Sequence, residues 1–474
     1  MKRYEKYAAE VERMVRDRVL RPGDRLPSVR QACASRKLSQ STVLQAYYLL
    51  EARSVIEARP RSGYFVSKQQ ALLPAVQNVS RPKQRSASVA ISDLVFEILG
   101  STKERTVAAL GSAFPSPELF PLPILSRYLA RGMRDIDPWR TAEDLSPGNA
   151  QLRHQISQRY ARDGIHIDAD EIIITNGALE ALNLSLAALT RPGDVVLVES
   201  PTFYAALQAI ERLNLKVVAI ATHPREGIDL QALETALQRN DVKACWFMPN
   251  FQNPLGSVMS EAKKQALAKL LATHQVPLIE DDVYGELYFG TQRPRPTKAF
   301  DKRGQILLCS SFSKCLAPGY RVGWVAAGKY AKQIERLKLM TNLSTALPSQ
   351  LALSGYLQHA GYDRHLRKLR QTLQALRDTA LRAIARYFPE GTRASCPDGG
   401  YFLWVELPGD VDALELHRQA LLHDISLAPG QLFANQPDFA HFVRINYGHP
   451  TAAKLEGALR VVGELAGKMR RTHD

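Results

Sequence analysis

The residues whose types and spacing could do chemistry are a lysine, two arginines, an aspartate and an asparagine, each set beside a short apolar run. Lys314 lies in Ser310-Ser311-Phe312-Ser313-Lys314-Cys315-Leu316-Ala317-Pro318-Gly319-Tyr320-Arg321-Val322-Gly323-Trp324. An amine becomes a nucleophile or an imine partner only when its pKa is lowered and a carbonyl is held nearby, which a buried cationic site achieves. Arg444 stands between Val443 and Ile445. That setting favours burial, and its fork could grip a carboxylate through two parallel hydrogen bonds. The run Glu171 to Thr175 leads into Asn176-Gly177-Ala178-Leu179-Glu180, a tight turn opening a helix. Free N–H groups and the helix dipole favour phosphate there, and Ala178 and Leu179 could donate only from backbone. Asp281, in Ile279-Glu280-Asp281-Asp282-Val283-Tyr284, follows Asn253 by 28 residues, which fits one strand-helix-strand passage between neighbouring strand ends. Taken alone, each residue has a plainer reading: a solvated lysine, an Asn-Pro turn at Asn253, a helix cap at Asp281, a core aromatic at Phe203, a surface arginine at Arg444.

The elements that would position these residues alternate between short apolar strands and helices. Strands are expected at Glu171 to Thr175, Val195 to Glu199, Val217 to Ile220, Lys243 to Met248, Pro277 to Glu280, Ile306 to Ser310 and Val322 to Ala326. Such alternation implies an α/β body with a mostly parallel or mixed sheet, whose ligands gather at the carboxyl ends of strands. From about Leu351 long helices, then strands such as Tyr401 to Leu407 and His441 to Asn446, suggest a smaller α+β lobe. Residues 69–107, rich in Gln, Ser, Arg and Pro, show no sustained period and read as a linker, with a helix expected near Ile91.

Ahead of the linker, Tyr7, Val11, Met14 and Val15 recur at helical spacing, and Arg21-Pro22-Gly23 ends that helix. Ser28 and Ser39 can cap two further helices, the second burying Val43, Ala46, Tyr47 and Leu50. Gln40, Ser41 and Thr42 fall in its opening turn, where a recognition helix meets base edges. Val55 to Ala58 and Tyr64 to Val66 form a hairpin around a basic tip.

With 474 residues the chain can hold two or three domains. It is 45% hydrophobic and 23% charged, as soluble globular proteins are, and no apolar run approaches the roughly 20 residues that span a bilayer. Neither a signal peptide nor an anchor is expected from the opening residues, so the expectation is a cytoplasmic, nucleoid-associated protein with no membrane partner. Five scattered cysteines without close pairs argue against disulfides and zinc, and no metal site is expected. The net charge is +15, and residues 1–68 carry 15 Lys and Arg against 7 Asp and Glu, which suggests a polyanion-binding end on a more neutral body. Charge alone favours the plainer reading, a well-solvated basic surface.

The stretch from Leu26 to Val66 resembles the GntR family of bacterial regulators, a winged helix-turn-helix. By position the resemblance implies phosphate contacts from Arg30, Arg59 and Arg61 and base contacts from Gln40, Ser41 and Thr42. Two positions that are often arginine in simpler members are Gln40 and Leu44 here, so the operator does not follow by analogy. The lysine string resembles fold-type I pyridoxal-phosphate proteins, the aspartate aminotransferase group, from about Gly111 onward. That resemblance implies pyridoxal 5'-phosphate as cofactor and Lys314 as its Schiff-base residue. Ser311, Arg321, Gly177, Ala178 and Leu179 would lie around the phosphate, a thinner cup than in members with hydroxyl or amide side chains there. Asp281 would face the pyridine nitrogen, Asn253 and Tyr284 the phenolic oxygen, Phe203 or its neighbour Tyr204 would stack on the ring, and Arg444 would clamp a substrate α-carboxylate.

The two halves together resemble the MocR subfamily of GntR regulators. The expected domains are 1–68, the reader; 69–107, the linker; and 108–474, the aminotransferase-like body, with a large lobe about 125–350 and a small lobe about 351–474 plus 108–124. The resemblance implies a domain-swapped homodimer on double-stranded operator DNA with paired half-sites, and a small amine, amino acid or vitamin B6 form as effector. A working aminotransferase with secondary DNA binding is the alternative, because every residue the first half-reaction needs is present. A body that only dimerises is a third reading.

Overall fold

The computed structural model describes all residues except 1–2, 17–18, 22, 53–54, 60–61, 67–74, 76, 78, 81, 83–85, 101–107, 135, 138, 140–144, 360, 436–437 and 472–474. The chain divides into two compact units, Met1–Pro74 and Ala75–Asp474.

In the first unit, helices Arg3–Arg16, Val29–Arg36 and Gln40–Ala52 precede an antiparallel hairpin of Ile56–Arg59 and Gly63–Val66. Ser28 caps the second helix in a capping box with Gln31, and Thr42 N–H donates to Ser39 Oγ at the third, as the sequence suggests. Tyr7, Val11, Val15, Val43, Ala46, Tyr47 and Leu50 share one buried cluster with Ile56 and Val66 of the hairpin. These three helices and wing make a winged helix-turn-helix.

The second unit is built on an eight-stranded sheet. Its spatial order is Ile172–Thr175, Gly323–Ala326, Ile306–Ser311, Leu278–Asp281, Val242–Phe247, Val195–Ser200, Lys216–His223 and Gly227–Ile228. The run from Ile306–Ser311 to Lys216–His223 is parallel, whereas Gly323–Ala326 is antiparallel to both neighbours and Gly227–Ile228 to its one. The central strands are buried along nearly their whole length, which explains their unbroken apolar runs. All the expected strands are present, with no end shifted by more than three residues. A smaller lobe holds an antiparallel sheet of Arg393–Ala394, Phe402–Glu406, Phe442–Asn446 and Ala428–Pro429, with helices Gly361–Tyr387, Ala413–Leu421 and Ala452–Arg471. Ala108–Ala109 pairs with Ile425–Ser426 and so brings the chain ahead of the large lobe into the small one.

Much of the segment expected as linker is docked. Ala75 bridges Arg393, Ala87 bridges Val217, Gln77 Nε2 donates to Trp404 O, and Ser80 Oγ donates to Ser200 O at 2.5 Å. Glu211 caps the helix Ser92–Gly100 through the N–H groups of Ile91 and Ser92. Isolated bridges and single amide contacts impose no period, so the sequence has no way to signal them. No described helix is long and apolar enough to cross a membrane.

Candidate functional site

Parallel strands end side by side, and the turns that follow them carry the residues of interest. Asp281 closes Leu278–Asp281, and Cys309 of Ile306–Ser311, the strand that leads to Lys314, is its register partner. Lys314 keeps part of its side chain exposed, while its Nζ donates to Ala113 O at 2.8 Å and stands 3.7 Å from the centroid of the Phe114 ring. Burial pushes this amine down to about 7; Arg444 and Arg321 add to the fall and Asp281 opposes it. Burial also pushes Asp281 up to about 7, against the pull of the Val283 N–H and Lys314. An amine in this state is available as a base or nucleophile near neutral pH.

Imine formation between an aldehyde and Lys314 is therefore expected to rise with pH through about 7 rather than near the ordinary 10.5. Between those values the unfolded chain binds the extra proton, so the stability contributed by this group grows as pH rises across that window and is least below it. Stopped-flow uptake of pyridoxal phosphate from pH 6 to 10 measures the midpoint, and a midpoint near 10 would contradict the assignment.

Around the helix Ala178–Leu189 the donors expected for a dianion come together. Gly177 occupies its N-cap at φ +82° without a side-chain cap, and a Cβ at that position would collide with Arg321 Nη2. A glycine is required here because the arginine packs directly on the turn. Arg321, itself left-handed at φ 53°, donates to Asn176 O at 3.1 Å and to Ser313 Oγ at 3.3 Å. Ser311 Oγ accepts from Ser313 N–H. Ser313 is a residue the sequence reading passed over. Leu179 is 46% exposed, so its side chain leaves the first turn of the helix open.

Arg444 is fully buried, and no acidic side chain pairs with it among the described residues. Nη1 donates to Asn253 Oδ1 at 3.1 Å, Nη2 to Gly111 O at 2.7 Å and to Ser112 O at 3.2 Å, and its plane lies over Phe402, 4.2 Å from the centroid. Two buried donors in this cluster have no partner among the described residues: Arg444 Nε and Asn253 Nδ2. An unpaired buried donor costs about 1–3 kcal/mol, so the pair is suited to acceptors brought by a ligand. Tyr284 is buried edge-on to Tyr401, with ring centroids 5.4 Å apart. Phe203 keeps partial exposure at the start of helix Tyr204–Arg212, while Tyr204 is buried against Phe433, which favours Phe203 as the ring that faces a ligand. This set fits pyridoxal phosphate: an anion cup, an unpaired amide, a buried carboxylate and a lysine poised near neutrality.

In the first unit Arg30, Gln40 and Ser41 are exposed and Thr42 is half-buried, with Ser41 and Thr42 hydroxyls bonded to Ser39 Oγ. Arg59 pairs with Glu57 at 2.6 Å and lies over Phe65 at 4.4 Å, so it is less free than a wing arginine read from sequence alone. Arg61 lies outside the described residues. Gln45 and Tyr48 share the exposed helix face with Ser41, at spacings of four and seven, and the sequence reading missed both. Arg59→Ala is expected to lower the slope of log K against log salt by about one, for DNA of any sequence. Filter binding across a salt series measures it, and an unchanged slope would exclude Arg59 from phosphate contact.

Two family patterns match the chain: aminotransferase class I and II over residues 145–462, and bacterial regulatory proteins of the gntR family over residues 3–66. The HTH-type transcriptional regulator YdcR of Escherichia coli (strain K12) is 49% identical over 465 residues, 98% of this chain and 99% of that protein. The chain belongs to the GntR regulators of the MocR type. In this MocR chain the body is also similar to aromatic-amino-acid aminotransferase 1 of Thermococcus litoralis, 30% identical over 390 residues, covering 79% of this chain and 92% of that one. Among solved structures, the multiple substrate aminotransferase of Thermococcus profundus superposes with a TM-score of 0.73 at 27% identity, over 80% of this chain and 95% of that chain. The MocR architecture is thus a DNA-binding reader fused to a body of a pyridoxal-phosphate-dependent family.

Proposed function

We propose that this protein is a transcription regulator that reads operator DNA with its first unit and senses an amino acid, amine or vitamin B6 form through pyridoxal phosphate held on Lys314. The observation that carries this reading is buried Arg444, without an acidic partner among the described residues, in one cluster with Asn253 and the lysine, in a chain that begins with a winged helix. When bound, the cofactor supplies an electrophilic carbon for amines and an electron-withdrawing ring. Arg321, the Ala178 and Leu179 N–H groups and Ser311 would hold its phosphate, Asn253 and Tyr284 its phenolic oxygen, Asp281 its ring nitrogen, and Phe203 would stack on its face. Arg444 would orient an incoming amino acid by its carboxylate, and Lys314 would take up or release a proton near neutral pH.

The ligand acts by preferring one arrangement of the body. A domain-swapped homodimer would then present two readers to paired half-sites. Exposed apolar side chains such as Trp139 at 80%, Met340 at 75% and Leu343 at 57% support a covering second copy. The reading places the protein in the cytoplasm, where its DNA is. The completeness of the set Lys314, Asp281 and Arg444 favours a second reading, turnover as an aminotransferase. Titrating amino acids, amines and vitamin B6 forms into the protein loaded with pyridoxal phosphate, while following cofactor absorbance and operator binding together, separates the two. Ligand-dependent operator binding supports the sensor; sustained product formation with DNA binding indifferent to ligand would defeat it.

A further inference from the structure

Four consecutive residues, Gly111-Ser112-Ala113-Phe114, cross the site, and their backbone carbonyls occupy its donors. Arg444 Nη2 donates to Gly111 O and Ser112 O at 2.7 and 3.2 Å, while Lys314 Nζ donates to Ala113 O at 2.8 Å and Tyr401 Oη to the same oxygen at 3.0 Å. Asn446 grips this strap from the strand that carries Arg444. Its Nδ2 donates to Ser112 O at 3.0 Å and Phe114 O at 2.7 Å, its backbone N–H to Leu110 O at 2.7 Å, and its Oδ1 accepts from the Gly448 N–H at 2.9 Å. Asn446 is wholly buried and its amide is saturated, so it has no free group with which to touch a ligand. Gly111 presses on the neighbouring backbone: a Cβ there would lie 2.5 Å from Leu427 O.

A carboxylate can take a guanidinium by two forks, end-on through Nη1 and Nη2 or side-on through Nε and Nη2. Both use Nη2, whose hydrogens are already given to Gly111 O and Ser112 O. Nε is free, so side-on docking needs only one strap carbonyl to yield. We propose that residues 111–114 are the intramolecular occupant of the Arg444 site, that the carboxylate of an α-amino acid effector displaces them, and that Asn446 is the positioning residue that sets how readily they leave. This rests on Arg444 as the carboxylate holder. Ala113 belongs to the same strap, so in the protein without cofactor, displacement at Arg444 also loosens the Lys314 contact. An amine without a carboxylate leaves the strap in place. The strap begins two residues after Ala109, the end of the short strand that pairs with Ile425–Ser426 of the small lobe.

The test uses the protein loaded with pyridoxal phosphate and two pairs of probes: L-alanine and L-phenylalanine, each against the amine lacking its α-carboxylate. Asn446→Ala is expected to tighten binding of the amino acids about tenfold, the worth of one or two hydrogen bonds, and to leave the amines unchanged, as read from cofactor absorbance. In the unsubstituted protein, hydrogen exchange in the peptide 108–116 should quicken with amino acid and not with amine, which keeps the proposal testable should the variant fold poorly. Equal effects on both ligand classes, or exchange that does not distinguish them, would overturn the strap. Arg444→Gln is the separate control: if it keeps the full preference for amino acids over amines, the assignment of Arg444 itself is what fails.

Discussion

Replacing Lys314 with alanine removes all covalently retained cofactor and all response of operator binding to amino acids, while leaving basal DNA affinity intact. Lys314 is the one amine in the cluster among the described residues, its Nζ faces the carbonyl of Ala113 rather than a carboxylate, and burial beside Arg444 and Arg321 brings its pKa down to about 7. No neighbouring side chain can take over, since Arg444 and Arg321 remain charged and the nearby Asn253 is an amide. The DNA-binding residues belong to a separate unit with its own core, so the reader folds as before. Absorbance of the dialysed protein and operator titrations with and without amino acid check both halves. Retained cofactor in Lys314→Ala would contradict the assignment, and ligand-dependent DNA binding in that variant would contradict sensing through it.

Arg444→Gln has the second largest effect, and it discriminates between ligands. The arginine is desolvated, its cation is compensated by carbonyl and amide dipoles and the face of Phe402, and no acidic group shares it among the described residues. A carboxylate that docks there gains a charge-assisted pair in a low-dielectric setting, and removing one partner of such a pair costs about 2–5 kcal/mol, roughly 30-fold to a few thousandfold in affinity. Amino acids lose that factor; the matching amines lose little. Because Arg444 also depresses Lys314, the midpoint for cofactor uptake moves upward in the same variant. A fall of equal size for amines and amino acids would show that the residue supports the fold rather than the ligand.

How far these residues could be read from sequence depended on whether their partners are local. Lys314, Ser311 and Arg321 lie in one string, and the burial of Arg444 follows from its place between Val443 and Ile445 in a central strand. Asn446, two residues further on the same face, was legible by that period and was overlooked. The strap was not legible, because what it contributes is backbone carbonyls, which any sequence carries; only the crowding at Gly111 leaves a trace. The docked contacts of Ala75, Gln77, Ser80 and Ala87 were hidden for a similar reason, since single bridges and single hydrogen bonds impose no period. Arg59 read as a free wing cation, yet Glu57 sits two residues away on the same strand face and holds it. Most of the main strands appear because their central residues are buried on both faces and so must be apolar.

The most direct measurement is chemical fixation of the cofactor. The protein, incubated with pyridoxal phosphate and reduced with borohydride, is digested and mapped by mass spectrometry. The account predicts the phosphopyridoxyl group on Lys314, stoichiometric and absent from other lysines. A label distributed over surface lysines, or Lys314 unmodified while the protein carries cofactor, would contradict it.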